Sequence, residues 1–94
     1  MKLQIVEKFW SVGYPTVTKT RVKVPLQVGR IPGVERWKMH FTIDSVTDAG
    51  VEVTVHYEEK KYNQTWLVTK DQGIYYRPIS MDGGYEYYID LKQS

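Results

Sequence analysis

The sequence predicts an all-β fold: a single-domain antiparallel meander of about seven strands, closed as a small barrel or folded into a two-layer sandwich. Three observations predict it. Two runs on either side of one turn, Trp37-Lys38-Met39-His40-Phe41-Thr42-Ile43 and Val51-Glu52-Val53-Thr54-Val55-His56-Tyr57, place an apolar side chain on every second residue, as a sheet with one buried face requires. The composition sets 12 Val, 6 Ile, 8 Thr and 8 Tyr against one Ala and 4 Leu, an excess of β-branched and aromatic residues over the best helix formers. Turn signals built on Gly, Pro and Asp recur along the chain. Its 94 residues suffice for one domain over 1–94 that buries roughly 60 to 65% of the unfolded surface.

The first strand is expected over 2–10, with Leu3, Ile5 and Phe9 on one face and Val6 and Trp10 on the other. Both faces are partly apolar, which fits a strand covered on each side. Ser11-Val12-Gly13-Tyr14-Pro15 breaks it. A second strand over 16–24 sets Thr18, Thr20, Val22 and Val24 against Lys19, Arg21 and Lys23, a basic stripe on successive outward positions. Pro25 ends that strand because it has no N–H for the ladder. Residues 25–33 lack clean periodicity but hold four apolar side chains, so they serve as a plug across an open end of the fold or as a contact surface. A Greek-key connection through this segment is the alternative to a plain meander.

The central hairpin is expected to pair Ile43 with Val51, Phe41 with Val53, Met39 with Val55 and Trp37 with Tyr57 across a turn over 44–50. That register makes His40 and His56 diagonal neighbours on a wet outer face. After the polar turn Glu58-Glu59-Lys60-Lys61, a strand over 62–70 carries Trp66 and Val68 on one face and Leu67 on the other. Asp71-Gln72-Gly73 reads as a three-residue hairpin loop with Gly at a positive φ, from which a strand over 74–79 pairs back. Asp82-Gly83-Gly84 makes the last turn, and a strand over 85–91 ends the meander.

No cysteine is present, which excludes a disulfide scaffold and a thiolate metal site. The start lacks a secretory leader and no run approaches a membrane span, so a soluble, cytoplasmic protein is expected, with no membrane partner. Asn63-Gln64-Thr65 matches the glycosylation acceptor pattern, a triplet common by chance. His40 and His56 with Glu52 or Glu58 form too weak a pattern for a metal site, and no metal or cofactor is expected. The acids fall mainly in turns (Asp44, Asp48, Glu58, Glu59, Asp71, Asp82), where they cap backbone; no nucleophile elbow or phosphate-cradling loop occurs. The chain is therefore expected to bind rather than catalyse.

Net charge is +2, but residues 1–38 carry +6 and residues 39–94 carry −4. Such polarity serves an anionic partner, two complementary halves of one fold, or head-to-tail association of copies. Two surfaces compete. Tyr75, Tyr76, Tyr85, Tyr87 and Tyr88 lie on two strands expected to pair, with at least two tyrosines outward, an arrangement suited to a protein partner, a homo-oligomer or a sugar. Lys19, Arg21 and Lys23, with Trp10, Tyr14 or Trp37 stacking a base, suit a single-stranded nucleic acid, though the acidic second half opposes a polyanion unless it faces elsewhere. Protein binding through the Tyr-rich hairpin is the first expectation and nucleic-acid binding the second. A small-ligand or sugar-binding barrel, with a pocket lined by Trp66, Tyr76 or Tyr87 beside a buried acid, is the third.

Overall fold

Two antiparallel four-stranded sheets face each other in the computed structural model, which describes residues 1–11, 13, 18–35, 39–57, 62–78 and 83–93. The strands are β1 (Lys2–Ser11), β2 (Thr18–Pro25), β3 (Gly29–Arg30), β4 (Met39–Thr47), β5 (Gly50–Tyr57), β6 (Tyr62–Val68), β7 (Ile74–Tyr76) and β8 (Gly83–Lys92). The first sheet has the order β2-β1-β8-β7 and the second β3-β4-β5-β6. Within each sheet strands consecutive in sequence pair, β1 with β2, β3 through β6 in order and β7 with β8, and β1 also pairs with β8. The result is an up-and-down meander, flattened and left unzipped between β2 and β3 and between β6 and β7. No Greek-key crossing is needed.

The inward faces follow the period-two pattern. Leu3 and Ile5 of β1, Phe41 and Ile43 of β4, Val51, Val53 and Val55 of β5, Val68 of β6 and Tyr87 and Ile89 of β8 are buried in one apolar cluster. At about 25 cal/mol per Å² of apolar surface removed from water, this layer is the main source of stability in a chain with no cross-link. Residues 25–33 do part of the work expected of a plug. Ile31 is buried and donates its N–H to the Phe41 carbonyl at 2.9 Å, and Val34 is buried just beyond. Gly33, at φ 90°, brings the backbone so close to β2 that a Cβ there would meet a Val22 methyl at 3.0 Å. This segment thus seals the gap between β2 and β4. Within it lies β3, the eighth strand, too short to leave a periodic signature.

The central hairpin corrects the expected register. Phe41 pairs with Val55, Ile43 with Val53 and Met39 with Tyr57, two residues displaced from the expected pairing. The cause is a tighter turn than 44–50: Thr47 pairs with Gly50, leaving a two-residue loop, and Asp44 is the extra residue of a bulge between Ile43 and Ser45. A shift of two preserves the faces, so Phe41 and Val53 remain enclosed. His40 and His56 become direct cross-strand partners, their rings stacked 4.7 Å apart at 9°. The outer face is also drier than expected, with Thr54 only 5% exposed.

Residues 69–73 do not form a hairpin, because β7 pairs with β8 rather than β6. The segment carries the chain from one sheet to the other, held by reciprocal backbone bonds between Thr69 and Gln72. Positive φ occurs at Gly13, Gly29, Gly33 and Gly50 and not at Gly73. No helix among the described residues is long and apolar enough to cross a membrane.

Candidate functional site

Strand pairing decides which side chains share a surface. In β1 the odd residues face the core, so Val6, Lys8 and Trp10 point out. The register sets Lys8 between Lys19 of β2 and Glu86 of β8, and Val6 between Arg21 and Tyr88. Tyr75 lies across from Tyr88. The outer face of the first sheet therefore carries Lys19, Arg21 and Lys23 along one edge, Lys8 and Trp10 in the middle, and Tyr88, Glu86 and Tyr75 toward the other edge. Arg77, just past β7, joins them. The basic stripe and the outward tyrosines, inferred separately from the sequence, occupy one face.

The rings and charges on this face are interleaved. The Arg77 guanidinium sits 4.8 Å from the centroid of the Trp10 ring, and the Lys8 ammonium 5.0 Å from that of Tyr88. The indole lies against Gly84, where a Cβ would fall 2.6 Å from Cζ2, so the absence of a side chain there is what admits the ring. Tyr75 and Tyr88 are tilted against each other with centroids 5.0 Å apart. Their hydroxyls both donate to Glu86, Tyr75 at 2.9 Å and Tyr88 at 3.5 Å. The Tyr75 phenol is held above the ordinary tyrosine value, chiefly by that bond to Glu86. Lys8, Trp10, Lys19, Arg77 and Glu86 line an open depression of about 500 Å³.

The five tyrosines divide by parity. Tyr75 and Tyr88 are exposed, at 49% and 38%. Tyr76, Tyr85 and Tyr87 turn inward, and Tyr87 is fully buried, so it has no surface to offer a partner. Inside, the Tyr87 hydroxyl donates to the Glu7 carboxylate at 2.9 Å, and Glu7 is itself 2% exposed. The Tyr87 ring packs edge-on against Phe41 and stacks with Tyr76 and Tyr85. Trp66 leans on Tyr76, and the Tyr57 and Tyr76 hydroxyls meet at 2.6 Å. Burial, and then that hydrogen bond, hold the Tyr57 phenol well above its ordinary range. Trp66, Tyr76 and Tyr87 thus gather beside a buried acid, as the third expectation requires, yet their rings pack on one another and line neither of the two depressions described here. The other depression, about 200 Å³, lies at the β2–β3 corner beside Pro25, Val28 and Ile43.

The outer face of the second sheet is different in character. Thr42, Thr54 and Thr65 stand in one rung across β4, β5 and β6. Thr42 donates to Asp44 at 2.8 Å and shares a 2.9 Å contact with His56 Nε2; Thr54 donates to the other Asp44 oxygen and meets Thr65 at 2.7 Å. Asp44, expected to cap a turn, instead uses the bulge to gather hydroxyls. Among the described residues no group of three or more His, Asp or Glu is placed to hold a metal ion.

Trp37 and Tyr14, named as stacking candidates, lie outside the described residues, as do Arg36, Lys38, Glu58, Glu59 and Asp82. Sequence reasoning missed Lys8, Arg77 and Glu86 as members of the face. Lys8 was findable, since it shares the parity of Trp10 in β1; Arg77 and Glu86 required the β7–β8 pairing. No protein-family model, curated protein or solved structure gives a significant match to this chain.

Proposed function

We propose that this chain is a non-enzymatic binding module that holds single-stranded nucleic acid on the outer face of its first sheet. The observation that carries the reading is the convergence of Lys8, Lys19, Arg21, Lys23 and Arg77 with Trp10, Tyr75 and Tyr88 on that one surface. A positively charged track with interleaved rings matches what an unpaired strand offers, a phosphate backbone and free base faces. Alternate residues along β2 repeat every 6.7 Å or so, which spaces its three cations along a single edge like successive phosphates of an extended strand. Lys8 stands directly opposite Lys19. Like charges so paired weaken a sheet, and a bound anion relieves them.

Among the described acids of the second half, Asp44 and Glu52 belong to the second sheet, on the far side, while Glu86 and Asp90 of β8 share the face with the cations, Asp90 paired with Lys92 at 3.4 Å. Protein capture or self-association through the tyrosines would use the two outward rings that the sequence led one to expect, Tyr75 and Tyr88. Two rings remain outside, and their hydroxyls already engage Glu86.

The test is fluorescence anisotropy of labelled oligothymidine and oligouridine strands of about 15 nucleotides. If the five cations each neutralise one phosphate, log affinity falls with log salt at a slope of about −3.5, close to a hundredfold between 50 and 200 mM. Absence of binding at 50 mM, or binding with no salt slope, overturns the proposal. Equal affinity for a duplex of the same length removes the role given to the rings.

A further inference from the structure

Glu86 is the one acid among the five residues lining the depression, and nothing in phosphate binding calls for it there. Its position is nonetheless built. Two tyrosine hydroxyls hold the carboxylate, Tyr75 on Oε1 and Tyr88 on Oε2. A carboxylate has about four lone-pair sites, so these bonds leave acceptor capacity on both oxygens. Beside it, the exposed Arg77 guanidinium lies over the Trp10 ring and presents a planar surface on which a base can stack.

Resting on the reading above, we infer that this depression is a base-selective subsite that prefers guanine. A base stacked on Arg77 turns its Watson–Crick edge toward Glu86, with Lys8 and Lys19 left for the adjoining phosphates. Guanine presents two adjacent donors there, N1–H and the N2 amino group, and matches a carboxylate in a bidentate, charge-assisted pair. Cytosine and adenine present one amino donor each beside an acceptor. Thymine and uracil present one N–H between two carbonyl oxygens, which the carboxylate repels. The order of preference is therefore guanine first, cytosine and adenine next, thymine and uracil last. Glu86 thereby gives selectivity to a surface whose affinity comes from its cations.

The experiment places one guanine, cytosine or adenine at the centre of an oligothymidine strand and compares each with the unsubstituted strand by anisotropy at fixed salt. The guanine strand is expected to bind about tenfold more tightly, within the range of a good bidentate base contact. Glu86→Gln removes a negative charge, so it tightens the thymine-only strand and weakens the guanine strand, and their ratio falls toward one. Circular dichroism verifies that the variant keeps its sheet. Equal affinity of the wild-type chain for all four strands overturns the guanine subsite while leaving the nucleic-acid reading intact, and a guanine preference that survives Glu86→Gln overturns the role of this carboxylate. Failure to bind any strand removes both.

Discussion

Replacing Tyr87 by Phe isolates one hydrogen bond in the middle of the fold. Tyr87 is fully buried and donates to a Glu7 carboxylate that is 2% exposed. Phe retains the ring, and with it the edge contact to Phe41 and the stacking on Tyr76 and Tyr85. Only the hydroxyl leaves, so the cavity is small and the loss is mainly that of a donor to a buried charged acceptor. Such bonds contribute about 1.5–3 kcal/mol. For a domain of this length the unfolding entropy makes each kcal/mol equal to about 5 °C, so the melting temperature should fall by roughly 8–15 °C. Urea unfolding at neutral pH measures the free energy directly, and a cycle with Glu7→Gln separates the charged part. Against the neutral amide the same Tyr87→Phe change should cost only about 0.5–1.5 kcal/mol, a coupling on the order of 1 kcal/mol. A Tyr87→Phe variant within about 0.5 kcal/mol of the parent would refute the reasoning, because surface changes alone reach that size.

Three other outcomes are expected. Tyr57 is harder to ionise folded than unfolded, since burial and Tyr76 both favour the neutral phenol. Its contribution is complete below the unfolded value near pH 10 and is lost as pH rises beyond it; Tyr57→Phe should therefore lessen the drop in urea midpoint between about pH 8 and about pH 11. Gly84→Ala places a methyl 2.6 Å from Trp10 Cζ2, so the indole must shift from its place on the face; a stability loss of about 1–3 kcal/mol and weaker oligonucleotide binding should appear together, and full affinity in a folded variant would contradict the site. Changing Lys19, Arg21 and Lys23 together to Gln should reduce the salt slope from about −3.5 to about −1.4, and an unchanged slope places the strand elsewhere.

Much of this architecture could be read in advance because period-two patterns depend only on local chemistry. The alternation in β2 separates Thr18, Thr20, Val22 and Val24 from three cations, and from Lys19 onward the exposures follow it, with only Thr18 at the strand end exposed against the pattern. The faces of β4 and β5 were equally legible, yet their register was not. Either register buries Phe41 and Val53, and the choice rests on a bulge at Asp44 and a two-residue turn that apolar patterning does not encode. Glu7 interrupts an otherwise apolar inward series in β1, and its partner lies 80 residues away in β8. The face itself was half visible. Its cations and rings were named from separate strands, but their meeting depends on β1 pairing with β8 and β8 with β7, contacts between distant parts of the chain.

Because β1 is flanked by β2 on one side and by β8 on the other, the proposed recognition surface joins strands far apart in the sequence. During synthesis the first hairpin emerges early and the second sheet can assemble behind it, while β1 waits with one edge open. Only when β8 arrives do Glu86 and Tyr88 take their places beside Lys8 and Val6. The proposed binding face is therefore complete only once β8 has paired with β1. A ribosome-stalled chain ending before residue 83 would carry the basic stripe without Glu86 and Tyr88 beside it.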